Sequence, residues 1–578
     1  MKKEILDFIK ENNLSPFEEK KQIRPNSISI FKTTDAKSVY NRVLNKVFEN
    51  FEFENSSVIL SLFGFIENES EIKRRQGFFL SLKKQNREFL KRLMKPKLSW
   101  KPKYNVVVVT ENEDTFMELK KMECPVQYIS TENDLADLEN CEIIQVLDCQ
   151  NFSSYLERLP QTIFINSVDE AYLERYLEIL SGWKINIEVL EKEKFDLEAC
   201  EIVNEIRPLL KLIENEEKKK ITKPEIEEEI SGINEKISDK IKGMTLSGDL
   251  FFDIVSKNKI PKEIEDIAKK AIEESGLPRY LFNLSIPVSM DEKETENFLK
   301  RQDSEEFASS AESIKRNSRL LISLPDKLRK LEELILCFDF VSGIYDFFES
   351  SRCINPIEIC GELCIDNSKN IFIDRAQPIS FYLDSEKKCS ILTGANSGGK
   401  TTLLEHIIQL ISLLNLGFPA SGKVSLPIFS EVYYFAKNKG SVNKGAFETL
   451  LTQMSQIKSG KKTLILADEI ESVTEPGVAG HIISATCEYF IKKGCFLVVA
   501  THLGQEIQKT IPSGARIDGI EAKGLDESFE LIVDHNPVLG RLANSTPELI
   551  VEKMAGIHRL DYFVYINNYL KNNKLKIV

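Results

Sequence analysis

Between Ser390 and Thr402 the chain reads S-I-L-T-G-A-N-S-G-G-K-T-T. A short apolar run, Ile391 and Leu392, leads into the glycines. A helical repeat of Leu403, Leu404, Ile407, Ile408 and Ile411 leads out of them. G-x-x-x-x-G-K-T in strand–loop–helix context is the pattern of a phosphate-binding loop. A polyphosphate needs many N–H donors converging on it, and a glycine loop at a helix N-terminus supplies them with a favourable dipole. The candidate nucleotide contacts are therefore Gly394, Ala395, Asn396, Ser397, Gly398, Gly399, Lys400, Thr401 and Thr402. Lys400 has the reach for the β- and γ-phosphates and Thr401 the hydroxyl for Mg²⁺, so the expected ligands are ATP or ADP with magnesium.

Two stretches downstream carry the rest of that chemistry. Thr463–Ala467 is almost wholly apolar and ends in Asp468-Glu469. Such a run reads as a strand buried on both faces of a parallel sheet, and open sheets bind ligands at the carboxyl ends of their strands. Asp468 is then the expected magnesium ligand beside Thr401, and Glu469 the carboxylate that orients and polarises the attacking water. Cys495–Ala500 is a second such run and ends in Thr501-His502. A histidine there can donate to a γ-phosphate and report its loss. A lone histidine is more often a core residue; the order of loop, acid pair and histidine is what makes His502, with Glu469, a candidate catalytic residue.

The elements that must position these groups belong to a chain of 578 residues, enough for about three to five domains. The net charge is −13, so any nucleic-acid contact must come from a local basic patch. The N-terminus lacks the apolar core of a signal peptide and no run is long enough to span a membrane, so a cytoplasmic protein is expected. Eleven scattered cysteines show no paired C-x-x-C spacing. Even the closest cluster, Cys353, Cys360 and Cys364, reads as buried free thiols before it reads as a metal site.

Residues 1–98 read as mainly helical, with helices expected over Ala36–Glu49 and Glu71–Met94. The second of these is strongly basic from Lys73 to Lys103, and Lys83, Lys84 and Arg87 would share one face at helical spacing. That face is either a phosphate-backbone contact or a solvated surface beside a core stripe. Residues 99–192 alternate short strands (Val106–Val109, Val126–Ile129, Ile143–Leu147, Thr162–Ile165, Ile185–Val189) with helices, the mark of a small parallel α/β domain. Asp148 and Asp169 are its weak metal candidates. Residues 193–350 return to helix, and Ile226, Ile230, Ile233 and Ile237 lie on one face of a charged arm or of an ordinary surface helix. Residues 351–535 are α/β again around the glycine loop, and 536–578 form a terminal helical segment.

The loop, the interval from Lys400 to Asp468 and the strand-ending His502 resemble ABC-type ATPases. T-G-A-N-S-G-G-K-T-T looks like the MutS-family loop, whose hallmark asparagine is here Asn396. Leu416-Gly417-Phe418-Pro419-Ala420, then Phe447, the D-E pair and T-H follow in family order. The resemblance is good over 330–556 and looser over the N-terminal helices, where Ile72–Leu82 is similar to a core segment of the family. There are departures. The family's serine-threonine-phenylalanine motif, which reaches the partner's nucleotide, reads Gly445-Ala446-Phe447. The segment after the acids reads Ser472-Val473-Thr474-Glu475-Pro476-Gly477. These features resemble a divergent archaeal MutS-like branch. Phe51-Glu52-Phe53-Glu54 does not suit a mismatch wedge, and no nuclease module is expected after Val578.

The resemblance implies an α/β multidomain protein: a P-loop ATPase domain of ABC type, a helical core and lever, and a small parallel α/β insert. It implies a homodimer joined through the ATPase domains and the 536–578 helices, with ATP binding and hydrolysis switching helical arms around branched or otherwise non-standard DNA. Other readings stay open: a motor of another ABC class, a nuclease acting through the insert, or an ATPase that works on ribosomes or RNA.

Overall fold

Apolar runs without polar interruption set the frame of the fold, because only a sheet covered on both faces can bury them. The computed structural model describes every residue except 23–28, 99–103, 160, 215–220, 243–261, 286, 395–397, 437–444, 470–475, 526–530, 544–546, 559 and 574–578. The described chain forms two units, one of Met1–Met94, Phe195–Ala199 and Lys330–Val578, the other of Lys95–Lys194 and Cys200–Arg329.

The first unit is built on a five-stranded parallel sheet of β1 (Cys389–Gly394), β2 (Glu431–Phe435), β3 (Thr463–Asp468), β4 (Phe496–Ala500) and β5 (Ala515–Ile520). The order is β2-β3-β4-β1-β5, so β4 separates the strand that feeds the glycine loop from the one that carries the acids. Every residue of β3 and β4 is buried. Successive side chains point to opposite faces, and the two faces have different covers. Leu464 and Leu466 join a core with Leu403, Leu404, Ile407 and Ile408, while Ile465 and Ala467 join one with Ile483, Cys487 and Phe490.

The N-terminal helices α1 (Lys2–Glu11), α2 (Thr34–Phe48) and α3 (Glu69–Leu80) belong to this unit, as does α4 (Leu324–Ser351) from residue 330 onward. The first face of the sheet is covered by α5 (Lys400–Leu416) and the second by α6 (Pro476–Lys492); α7 (Pro547–His558) and α8 (Asp561–Asn573) end the chain. Sheet edges attract stray strands unless covered, and the N-terminal segment covers β2. Lys32 N–H donates to Val432 O and Val432 N–H to Ile30 O, both at 2.9 Å. Thr33 Oγ1 then caps α2 at Ala36 N and accepts Tyr434 N–H at 2.9 Å. A smaller mixed sheet of four strands runs Ile357–Ile359, Lys423–Leu426, Leu363–Ser368, Ile379–Leu383.

The second unit contains a four-stranded parallel sheet in the order Val126–Tyr128, Val106–Thr110, Ile143–Val146, Thr162–Phe164. It also has a small separate core in which Ile226, Ile233 and Ile237 of helix Lys223–Lys242 meet Ala268 and Ile272 of helix Lys262–Glu274. Those isoleucines are a buried stripe, as their spacing predicts. The strand expected at Ile185–Val189 is instead the end of helix Glu174–Leu190. Its β-branched residues alternate, but Leu180, Trp183, Ile187 and Leu190 are the buried ones, at helical spacing, and Ile185 is exposed. The basic helix expected to reach Met94 stops at Leu80, followed by an irregular stretch and a 3₁₀ turn at Glu88–Arg92. Residues 83–86 carry no apolar stripe and are exposed, so nothing holds a helix there. Of the clustered cysteines, Cys353 is buried while Cys360 and Cys364 are exposed.

Candidate functional site

The carboxyl ends of β1, β3 and β4 bring the chemistry together. Leu392 on β1 and Asp468 on β3 both stand level with Ala500 of β4, so the glycine loop, the acid pair and Thr501-His502 emerge side by side. Gly394 has φ +136°, and a Cβ there would lie 2.4 Å from Ile520 O; the strand can turn into the loop only as glycine. Gly399 caps α5 in the left-handed region, at φ +94°.

Lys400 opens α5 and is buried. Its ammonium donates to Gly394 O at 2.6 Å and lies 3.7 Å from Glu469 Oε1. Thr401 Oγ1 donates to Asp468 Oδ2 at 2.5 Å. His502 Nε2 lies 2.6 Å from Glu469 Oε1, and since a carboxylate only accepts, Nε2 carries the proton. Glu469 itself sits at φ +47°, held by its N–H to Ala500 O at 2.9 Å. A non-glycine residue in that region is strained, and here the strain aims the carboxylate back at Lys400 and His502. Thr402 is half-buried in the first turn of α5, and Ala395, Asn396 and Ser397 lie outside the described residues. Gly445, Ala446 and Phe447 start helix Gly445–Ser455, and 472–475 also lie outside the described residues.

One residue at this site escaped the sequence reading. His535 Nδ1 donates to Gly398 O at 2.9 Å, and a Cβ on Gly399 would come 3.0 Å from the same nitrogen. Its neighbours clip the segment in place: Asp534 accepts from Gln377 at 2.8 Å and Asn536 from Ser380 N at 2.7 Å. A single histidine between Asp534 and Asn536 carries no local motif, and its contact is 137 residues away.

Other candidates fall elsewhere. Asp148 accepts a hydrogen bond from Thr115 at 2.6 Å, and among the described residues no cluster of His, Cys, Asp and Glu is arranged to hold a metal ion. The Phe51–Glu54 letters serve the fold: Glu52 and Phe53 N–H groups both donate to Asp339. The basic run is partly absorbed by its own unit. Arg74 pairs with Glu4 and Glu71, Arg75 with Glu71, and Lys84 with Glu349. Arg87 turns inward to Asp339, Asp346 and the Asn50 carbonyl. Lys83, Lys84 and Arg87 thus form no common face, and Lys101 and Lys103 lie outside the described residues.

No protein-family model matches the chain. Individual proteins do. A protein of Pyrococcus furiosus named DNA-binding protein MutS2 is 29% identical over 586 residues, covering 93% of this chain and 98% of that protein. A DNA mismatch repair protein MutS of Thermotoga sp. strain RQ2 is 26% identical over 270 residues, 45% of this chain and 33% of that protein. An Endonuclease MutS2 of Fusobacterium nucleatum is 24% identical over 292 residues, 49% of this chain and 36% of that protein. The likeness runs nearly end to end with one such protein and recurs over part of the chain with the others, so the chain is similar to proteins of the MutS family.

Proposed function

We propose that the chain is an ATPase of the MutS type that binds DNA, with ATP binding and hydrolysis acting as a dimer switch on branched or otherwise non-standard DNA. One observation carries the ATPase half: Lys400, Thr401, Asp468, Glu469 and His502 converge at the carboxyl ends of three adjacent parallel strands. The donor set suits the ligands. The Thr401 hydroxyl and the Asp468 carboxylate are hard oxygen donors of the kind magnesium takes. The turn at Gly394 and the left-handed Gly399 bring backbone close to where phosphate would lie, at the start of a helix. Thr401 and Asp468 would hold magnesium, which would supply positive charge against the phosphates.

The chain's own groups do the rest. At rest Lys400 is held by the Gly394 carbonyl and by Glu469, so its charge is compensated until phosphate competes for it. Glu469 orients a water and draws on its proton, and His502, bonded to Glu469 through Nε2, keeps that carboxylate in place. The DNA half rests on the printed name of the Pyrococcus relative, which the chain matches over 93% of its length. The name of the Fusobacterium relative does not carry the nuclease reading, because the likeness covers 36% of that protein, and the ribosome reading gains no observation. No described helix is long and apolar enough to cross a membrane.

The test is ATP turnover measured without nucleic acid and with duplex, mismatched duplex, Holliday junction, fork and RNA. Branched DNA should change the rate most, with a mismatch preferred over homoduplex by less than about tenfold. Glu469→Gln should still bind ATP but turn it over at least about a hundredfold more slowly, and Lys400→Ala should not bind it. Wild-type turnover in Glu469→Gln would sink the ATPase assignment, and stimulation by RNA alone would sink the DNA one.

A further inference from the structure

Tyr434 lies on β2 and is buried, yet its hydroxyl has no hydrogen-bond partner among the described residues. Buried polar groups are almost always paired, so an orphan asks for a cause. Packing does not supply one, since a phenylalanine would fill the same space. The neighbouring Tyr433 differs: its hydroxyl donates to Glu431 at 3.0 Å.

The register shows where Tyr434 is directed. It pairs with Leu466 of β3, and side chains alternate along a strand, so Tyr434, Leu466 and Asp468 share one face. That face is covered by α5, which carries Thr401 and, one turn on, Glu405. Glu405 in turn accepts both oxygens' worth of contact from Arg42 of α2, at 3.1 and 3.0 Å. Asp35, at the start of α2, accepts Ala436 N–H at 3.0 Å just beyond the tyrosine. Burial, then the nearby charges of Asp468, Glu405 and Asp35, push the phenol above its ordinary range, so at neutral pH it is a donor facing acidic neighbours. The backbone cannot drift, because Tyr434 N–H is fixed to Thr33 Oγ1.

We infer that Tyr434 is a positioning residue for the Thr401–Asp468 pair, its hydroxyl donating to the Asp468 carboxylate or to a water of the cation's hydration shell once a divalent cation is seated there. The inference rests on the nucleotide-and-magnesium reading above. Groups behind the direct ligands of a metal orient them, and losing one commonly weakens metal binding by about tenfold or more.

The experiment is a fluorescent-ADP titration of the full chain, with and without Mg²⁺, alongside thermal unfolding of the nucleotide-free protein. Tyr434→Phe should bind ADP normally without metal, require about tenfold more Mg²⁺ for the metal-dependent increase in affinity, and unfold no earlier than wild type. Tyr434→Leu, which also loses the ring, should show the same magnesium defect. An unchanged magnesium requirement in Tyr434→Phe overturns the inference and leaves a buried hydroxyl with a water at most. A defect in Tyr434→Leu alone also overturns it, by assigning the effect to ring packing. If wild type binds ADP without any response to Mg²⁺, the magnesium reading itself fails, and this inference with it.

Discussion

His406 sits fully buried in α5, one helical turn and more below the glycine loop, and burial pulls its imidazole from 6.5 down to about 4. The ring is bonded on both sides. Nδ1 lies 3.3 Å from Gln409 Oε1, an acceptor, so Nδ1 carries the proton, and Nε2 accepts from Ser368 Oγ at 3.1 Å. Gln409 passes the connection to Asn370 at 3.1 Å, tying α5 to the smaller sheet. The folded protein disfavours the charged ring, while the unfolded chain protonates it near 6.5. The associated stability is therefore complete above about 6.5 and is lost as the pH falls towards 4. Between pH 7 and pH 5 this residue alone should cost about 2 kcal/mol. Urea unfolding of wild type and His406→Gln at both pH values checks it. Glutamine can keep a bond to Ser368 without titrating, so the variant should lose about 2 kcal/mol less over that interval. Equal losses would mean that other groups carry the acid sensitivity.

Among the elements, the contact between the N-terminal helices and α4 depends on one buried charge. Asp339 is fully buried on α4, and burial pushes its carboxyl up, against the pull of Arg87, Ser56 and the Phe53 and Glu52 N–H groups. Ser56 Oγ donates to it at 2.6 Å and Phe53 N at 3.0 Å. Removing one partner of a buried pair strands the other, which typically costs about 3–5 kcal/mol. Arg87→Ala should lose about that much stability, whereas exposed Lys83→Ala should stay within about 0.5 kcal/mol. Denaturant unfolding of the two variants separates a structural arginine from its merely basic neighbours; a mild Arg87→Ala would mean that Asp339 is neutral in the fold. This pair also shows what a single sequence can and cannot reveal. The glycine loop and the strands before Asp468 and His502 were legible because each is a local pattern whose period or composition has one structural solution. Arg87 was not, since its partner is 252 residues away and a basic run looks the same whether it faces water or a buried carboxylate. His535 escaped for the same reason. The strand expected at Ile185–Val189 failed differently: its alternating residues were outweighed by an apolar stripe at helical spacing that runs from Leu180 to Leu190.

For the whole molecule, the proposed dimer switch requires two copies of the chain. The described surface offers a place for the second copy. On α8, Tyr562, Tyr565 and Tyr569 recur at helical spacing and are each more than half exposed, and Leu560 precedes them in the same state. Aromatic residues gathered on one exposed face are costly to leave in water and are characteristic of interfaces, where the ring is buried and the hydroxyl finds a partner. In the homodimer proposed above the terminal helices would meet, which chooses a second copy of this chain over another partner. Tyr562→Ser with Tyr565→Ser should therefore turn dimer into monomer, with a dissociation constant at least about a hundredfold higher, since two aromatic anchors are lost at about 2 kcal/mol or more each. Sedimentation velocity over a range of concentrations measures this directly. The glycine loop lies in each copy, so the double variant should still bind ADP while losing any stimulation of ATP turnover by DNA. A double variant that remains a dimer would remove α8 from the interface. A monomeric one that keeps its DNA stimulation would show that the nucleotide cycle does not need the pair, and the switch would then have to lie within one chain.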